Sequence, residues 1–176
     1  MVFHFRKTDS GQKKERFLIL SAILILLKKR KVDYDMKILS CVFEIEPASP
    51  LKNAEKMIAI CKEKDAELCL FPAYALTGIS CGNLLSYKPF IAQLDEAVDR
   101  LCAYTEESGK VIVTATQRHG NIVIYDGDIN NKGTFTYQGK TIVVSKNADE
   151  KADIVLIPTA MPGYPCIKND LSEFCA

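Results

Sequence analysis

The apolar run Leu68-Cys69-Leu70-Phe71, followed at once by Pro72, constrains the fold more than any other segment. A strand without a polar residue suits burial on both faces. Upstream lie a strand and a helix. Residues 37–44 alternate loosely and are rich in β-formers, so they read as a first strand that Pro47 ends. Ser49 and Pro50 start a helix, a cap residue with proline at the first helical position. Leu51, Ala54, Ile58 and Cys61 then share one helix face, to about residue 64. Strand, helix, strand in this order predicts a parallel pair joined by a right-handed crossover.

Further along, Phe90, Leu94, Val98, Leu101 and Thr105 mark a second amphipathic helix, with Gln93, Asp95, Glu96, Asp99 and Arg100 on its solvated face. Residues 110–115 read as the third strand. Residues 121–125, 134–137 and 141–145 are short strands punctuated by Asp126-Gly127 and Gln138-Gly139, both hairpin turn signals. Residues 152–158 form another buried strand, and 167–176 could open a helix. There is no internal repeat. A chain of 176 residues, 48% apolar and 26% charged, has room for one domain with a real core.

Charge separates two regions. Residues 1–35 hold nine Lys/Arg against four Asp/Glu, and residues 36–176 hold fourteen against eighteen. The globular part carries no basic stripe interleaved with aromatics, so no nucleic-acid partner is expected. The seven cysteines (41, 61, 69, 81, 102, 166 and 175) have no regular spacing, and most sit inside apolar runs as small hydrophobes. With no Cys-x-x-Cys and only His4 and His119, neither a metal site nor a cofactor is expected, and a reducing, cytoplasmic compartment suits the thiols.

In the N-terminal arm, residues 17–27 are apolar and flanked by Lys13, Lys14 and Arg16 before and by Lys28, Lys29, Arg30 and Lys31 after. As a helix, eleven residues reach about 16 Å, roughly half the hydrocarbon thickness of a bilayer. Four consecutive bases stand where a leader has its small-residue cleavage site. The preferred reading places 1–35 outside the domain, which spans 36–176. A membrane-surface contact by 17–31, a signal-like role and a core helix are the alternatives.

Three local motifs read as structural. Gly78-Ile79-Ser80-Cys81-Gly82 matches a nucleophile elbow, but the elbow serine sits on a turn directly after its strand, and six residues separate Phe71 from Gly78. Asp126 to Asn131 resembles the start of a calcium loop without the glycine at position six or the glutamate at position twelve, so a hairpin turn is expected. Cys81 is expected to be the most exposed cysteine, shaping its loop, and His119 a loop histidine.

The segment from Phe71 to Leu84 carries a family resemblance. Phe71-Pro72, Thr77-Gly78, Cys81-Gly82 and Leu84 resemble the base-bearing segment of nitrilase-superfamily (carbon-nitrogen hydrolase) amidases. More narrowly, they resemble the glutaminase domain of glutamine-dependent NAD synthetases, where the strand ends Phe-Pro-Glu and the loop reads Thr-Gly-x-x-Cys-Gly-x-Leu. The similarity starts at Met36-Lys37-Ile38-Leu39 and extends, with gaps, through Asn53-Ala54-Glu55, Ala66-Glu67-Leu68 and the run from Ala152 to Pro162. It implies an α/β fold, a partial nitrilase-type α-β-β-α sandwich. In that family a cysteine thiolate attacks the glutamine amide, a glutamate moves the proton and a lysine stabilises the oxyanion, because an amide is too poor an electrophile for any one of these alone.

The resemblance also implies vacancies. The base position is Ala73. Residues 135–144 resemble the strand leading to the family's Glu-x-Cys-Glu-Asp, which places Asn147 at the nucleophile position. The lysine segment is missing between Ile124 and Gly133. A rival alignment makes residues 139–146 that hairpin and Lys146 the lysine, one residue short. The closing strands and a Ser-Gly-Gly-x-Asp-Ser pyrophosphate loop have no counterpart, so a truncated domain outside an ATP-dependent synthetase is expected. Three accounts follow: a decayed gene fragment; a pseudoenzyme acting as partner of a homologous synthetase or as a homo-oligomer; or a residual amidase using Cys81 or Cys166 with Lys146.

Overall fold

The computed structural model describes residues 24–27, by backbone alone, together with 36–79, 81–145 and 152–158. Nine strands and two α-helices are found among them, in the order β1 (Leu24–Leu27), β2 (Ile38–Ser40), α1 (Pro50–Glu63), β3 (Leu68–Ala73), α2 (Lys88–Ser108), β4 (Val111–Thr116), β5 (Gly120–Tyr125), β6 (Asp128–Asn130), β7 (Thr134–Tyr137), β8 (Lys140–Val144) and β9 (Ile154–Ile157). A short 3-10 helix, Gly82–Ser86, precedes α2. The strands form two sheets, ordered β2-β3-β4-β5-β6 and β1-β9-β8-β7.

Strands β2, β3 and β4 run parallel, as the strand–helix–strand order requires. Both β3 and β4 are buried at all six positions. Alternation along β3, β4 and β5 divides their side chains between two cores. Cys69, Phe71, Ile112, Ile122 and Ile124 face the helices and pack with Met57, Cys61, Leu94, Val98 and Leu101. Leu68, Leu70, Val111, Val113 and Val123 face the second sheet and pack with Phe135, Ile142, Val144, Ile154 and Leu156. The described residues thus build three layers, α-β-β, an α/β architecture. Arg100 ties α2 to α1 through Glu55 at 2.9 Å, and α2 ends at Gly109 in the left-handed conformation (φ 66°), whose N–H caps Thr105.

The hairpin turns obey local chemistry. Asp126-Gly127 (φ 49° and 79°) and Gln138-Gly139 (φ 48° and 71°) both have two positive φ angles, as type I′ turns demand. Each joins strands in two-residue register, Tyr125 opposite Asp128 and Tyr137 opposite Lys140. The stretch resembling a calcium loop is therefore a turn plus a return strand, β6, which is polar because it lies at the sheet edge.

Two expectations need correction. The first strand is three residues long rather than eight, because β2 is an edge strand and the chain after Cys41 leaves the sheet to be clasped by Asn53. The apolar run of the arm, considered above as a helix, has an extended portion. Leu24–Leu27 pairs antiparallel with β9. The expected helix over 167–176 lies outside the described residues. No helix among the described residues is long and apolar enough to cross a membrane.

Leu101, fully buried between α2 and the sheet, tests the helix-side core. Leu101→Ala is expected to lower the unfolding free energy by about 2–5 kcal/mol, read as a lower midpoint in urea denaturation at unchanged slope.

Candidate functional site

Ala73 is the last residue of β3 and only 8% exposed. Just before it the register slips: Leu70 pairs with Val113, but Ala73 pairs with Ala115. The extra residue is accommodated at Pro72, which has no N–H to offer the ladder. The Pro72 carbonyl is instead satisfied by the Thr114 hydroxyl, at 2.8 Å. Tyr74 then turns the chain sharply, in the left-handed region at φ 62°, and its N–H donates to the Ala115 carbonyl at 2.7 Å. The Tyr74 carbonyl accepts from Thr77 and Gly78, closing the loop.

The Thr-Gly-x-x-Cys string locks this loop in place. The Thr77 hydroxyl donates to Gln117 Oε1 at 2.7 Å. Gln117 Nε2 in turn donates to the Gly78 carbonyl at 2.9 Å and toward Cys81 Sγ at 3.2 Å. Gly78, at φ 78°, adopts the left-handed conformation that a side chain would strain, while a Cβ there would meet Pro47 Cα only at ordinary contact distance, 3.5 Å. On the helix side, fully buried Asn53 accepts from Glu46 N–H and donates to the carbonyls of Glu46 and Leu76, at 2.7 and 2.9 Å.

Cys81 is therefore not the exposed cysteine expected from its glycine-rich setting. It is 3% exposed, because the loop folds back over the start of α1 and is clamped by Gln117. The thiol itself donates to the Gly78 carbonyl at 3.5 Å. His119 does lie in a loop, as expected, but its Nε2 faces Asp95 at 4.0 Å, and Arg118 shares that carboxylate at 3.0 Å. No hydrogen bond among the described residues joins His119 to Cys81. Among the described residues, no base is hydrogen-bonded to the Cys81 thiol, and the residue is buried.

The second strand end of interest is that of β8. Asn121 is paired with Ala115, and its side-chain amide reaches the Val144 carbonyl at 3.5 Å. Ala73, Ala115, Asn121 and Val144 therefore form a row across both sheets. The row links the end of β3, where the resemblance puts the base, to the end of β8, three residues before its nucleophile position. Asn147, Lys146 and Cys166 themselves lie outside the described residues.

Two features escaped the sequence. Gln117 carries no motif; only its place in the β4–β5 turn brings it under the loop. Cys41, just past β2, Cys61 of α1 and Cys69 of β3 share one core at 4%, 0% and 0% exposure. Hydrogen bonding with Cys69, and then burial, push the Cys41 and Cys61 thiols far up. No group of side chains among the described residues could hold a metal ion. A groove of about 550 Å³ lies elsewhere, between α2 and the β5–β6 turn, lined by Asp99, Cys102, Glu106 and Asp128. Burial first, then Asp99 and Asp128, raise the Cys102 thiol there.

No family model and no curated protein matches the chain. Solved structures do match. A cysteine-to-alanine mutant of the Nesterenkonia AN1 amidase from the nitrilase superfamily shares 15% identity at a TM-score of 0.51, over 62% of this chain and 54% of that one. The NitN amidase of the same organism gives 15% identity and a TM-score of 0.51, over 62% and 56%. A glutamine-dependent NAD+ synthetase from Acinetobacter baumannii, in complex with ADP, gives 21% identity and a TM-score of 0.48, over 62% and 27%. The matched region spans about half the length of the amidases. Over the matched 62% of this chain, the fold is similar to that of the nitrilase-superfamily amidases.

Burial orders the reactivity of the thiols. With iodoacetamide under native conditions, peptide mapping is expected to find Cys102 alkylated well ahead of Cys41, Cys61, Cys69 and Cys81, with all five reacting in denaturant. Thr77→Val, which leaves Gln117 without its donor, is expected to cost about 1–3 kcal/mol in urea unfolding and to speed alkylation of Cys81.

Proposed function

We propose that this chain is a non-catalytic nitrilase-fold domain related to the glutaminase part of glutamine-dependent NAD synthetases. The observation that carries this reading is the methyl group of Ala73. It stands at the end of β3, at the position that the resemblance assigns to the general base, inside a loop whose backbone and polar lock are intact. A methyl group transfers no proton, and amide hydrolysis needs a base both to activate the nucleophile and to admit water. Asn147 at the nucleophile position supports the same conclusion, since an amide nitrogen is no substitute for a thiolate. The reading of a residual amidase using Cys81 is weakened by the burial of that thiol and its hydrogen bonds to Gln117 and Gly78.

Without chemistry, the domain has surface to offer. Ile79, Leu84 and Tyr87, on and just after the loop, are 46%, 37% and 60% exposed, which supports a role as partner of a homologous synthetase or as a homo-oligomer. Five free cysteines among the described residues support a reducing, cytoplasmic setting.

Purified protein incubated with glutamine is expected to release no ammonia above the blank. Ala73→Glu is expected to stay equally silent, because restoring a base leaves the nucleophile position vacant. Ammonia release abolished by a thiol-blocking reagent would overturn the reading. Co-purification with a full-length homologous synthetase would support the partner role, and failure to associate with either that synthetase or itself would count against it.

A further inference from the structure

Strand β9, Ile154-Val155-Leu156-Ile157, is buried at every position, with exposures of 1%, 3%, 0% and 8%. On one side it pairs in parallel with β8. A buried strand whose other side had no partner would leave backbone donors and acceptors unsatisfied. That side is taken by Leu24–Leu27, in the register Leu24–Ile157, Ile25–Leu156, Leu26–Val155 and Leu27–Ile154.

We propose that the β9 edge is a strand-acceptor site for an extended apolar peptide, and that residues 24–27 of this chain are its resident ligand. The apolar run in the arm then has a task inside the domain: it completes a sheet by backbone pairing. The polarity of the pairing follows from one hydrogen bond. The Leu156 carbonyl accepts from Ser145 N–H, at 3.1 Å, on the β8 side. Backbone groups alternate in direction along a strand, so those of Val155 and Ile157 point the other way, toward β1. Their antiparallel partners are Leu26 and Leu24, and these pairs exchange hydrogen bonds. The N–H groups of Ile25 and Leu27 point away from the sheet.

This alternation makes the proposal testable residue by residue. Hydrogen exchange on the full chain, resolved to single amides by NMR, is expected to show Leu24, Leu26, Val155 and Ile157 slowed at least about tenfold relative to unstructured peptide, with Ile25 and Leu27 fast. Leu26→Pro removes a bonded donor and is expected to release Val155 and Ile157 while α1 and β3 stay protected. Ile25→Pro removes an outward N–H, tolerated at an edge, and is expected to leave both slow. A synthetic peptide of residues 20–31 added to the Leu26→Pro protein is expected to restore protection of β9, and a scrambled peptide is not. Unprotected amides at both Leu24 and Leu26 in the unmodified chain would overturn the proposal, as would equal effects of the two prolines or failure of the peptide to restore β9. Should Leu26→Pro unfold the whole chain, the pattern in the unmodified chain decides.

Discussion

The structure depends on the burial of β3 and β4 on both faces. A parallel pair cannot be closed by a hairpin, so α1 must cross over to connect β2 to β3, and α2 must do the same from β3 to β4. Those crossovers put both helices on one face of the sheet. The opposite face carries Leu68, Leu70, Val111, Val113 and Val123 and needs a second cover, supplied by β7, β8 and β9. Each fully buried Leu, Ile or Val contributes about 1.5–3 kcal/mol over exposure, so both cores matter to the stability of the same two strands. Placing the strand ends is the architectural consequence. The carboxyl ends of β3 and β8 meet across the row Ala73, Ala115, Asn121 and Val144.

The loop after β3 is held in shape by polar contacts that do not involve the side chain at position 73. Thr77, Gly78 and Cys81 are engaged by Gln117, and the Leu76 carbonyl by Asn53. These are buried polar groups, and leaving any of them unpaired costs about 1–3 kcal/mol. The string is thus held by requirements of stability that do not involve Ala73. Its presence speaks for the geometry of the loop.

How much of this was legible in the sequence depended on the range of the code. The amphipathic faces of α1 and α2, the two-faced burial of β3 and the hairpin turns at Asp126-Gly127 and Gln138-Gly139 were readable, because periodicity and turn chemistry are local requirements. Strand β2 was overread because β-forming residues do not say whether a partner lies on both sides. Strand β6 was missed because an edge strand is polar. The exposure of Cys81 was misjudged because glycine-rich composition says where a chain can bend, and what it bends against is decided elsewhere.

By itself, the sequence determined the order of helices and strands from β2 to β5 and from β7 to β9, the parallel crossover and the identity of the residue at the end of β3. Tertiary structure alone decided that Gln117 clamps a loop 36 residues earlier in the chain, that three cysteines distant in sequence share one core, and that part of the arm pairs with β9. The reason is physical. Local propensity acts over a few residues and leaves a pattern in the chain, whereas a contact between distant segments is chosen by which surfaces remain to be covered once the sheets have formed.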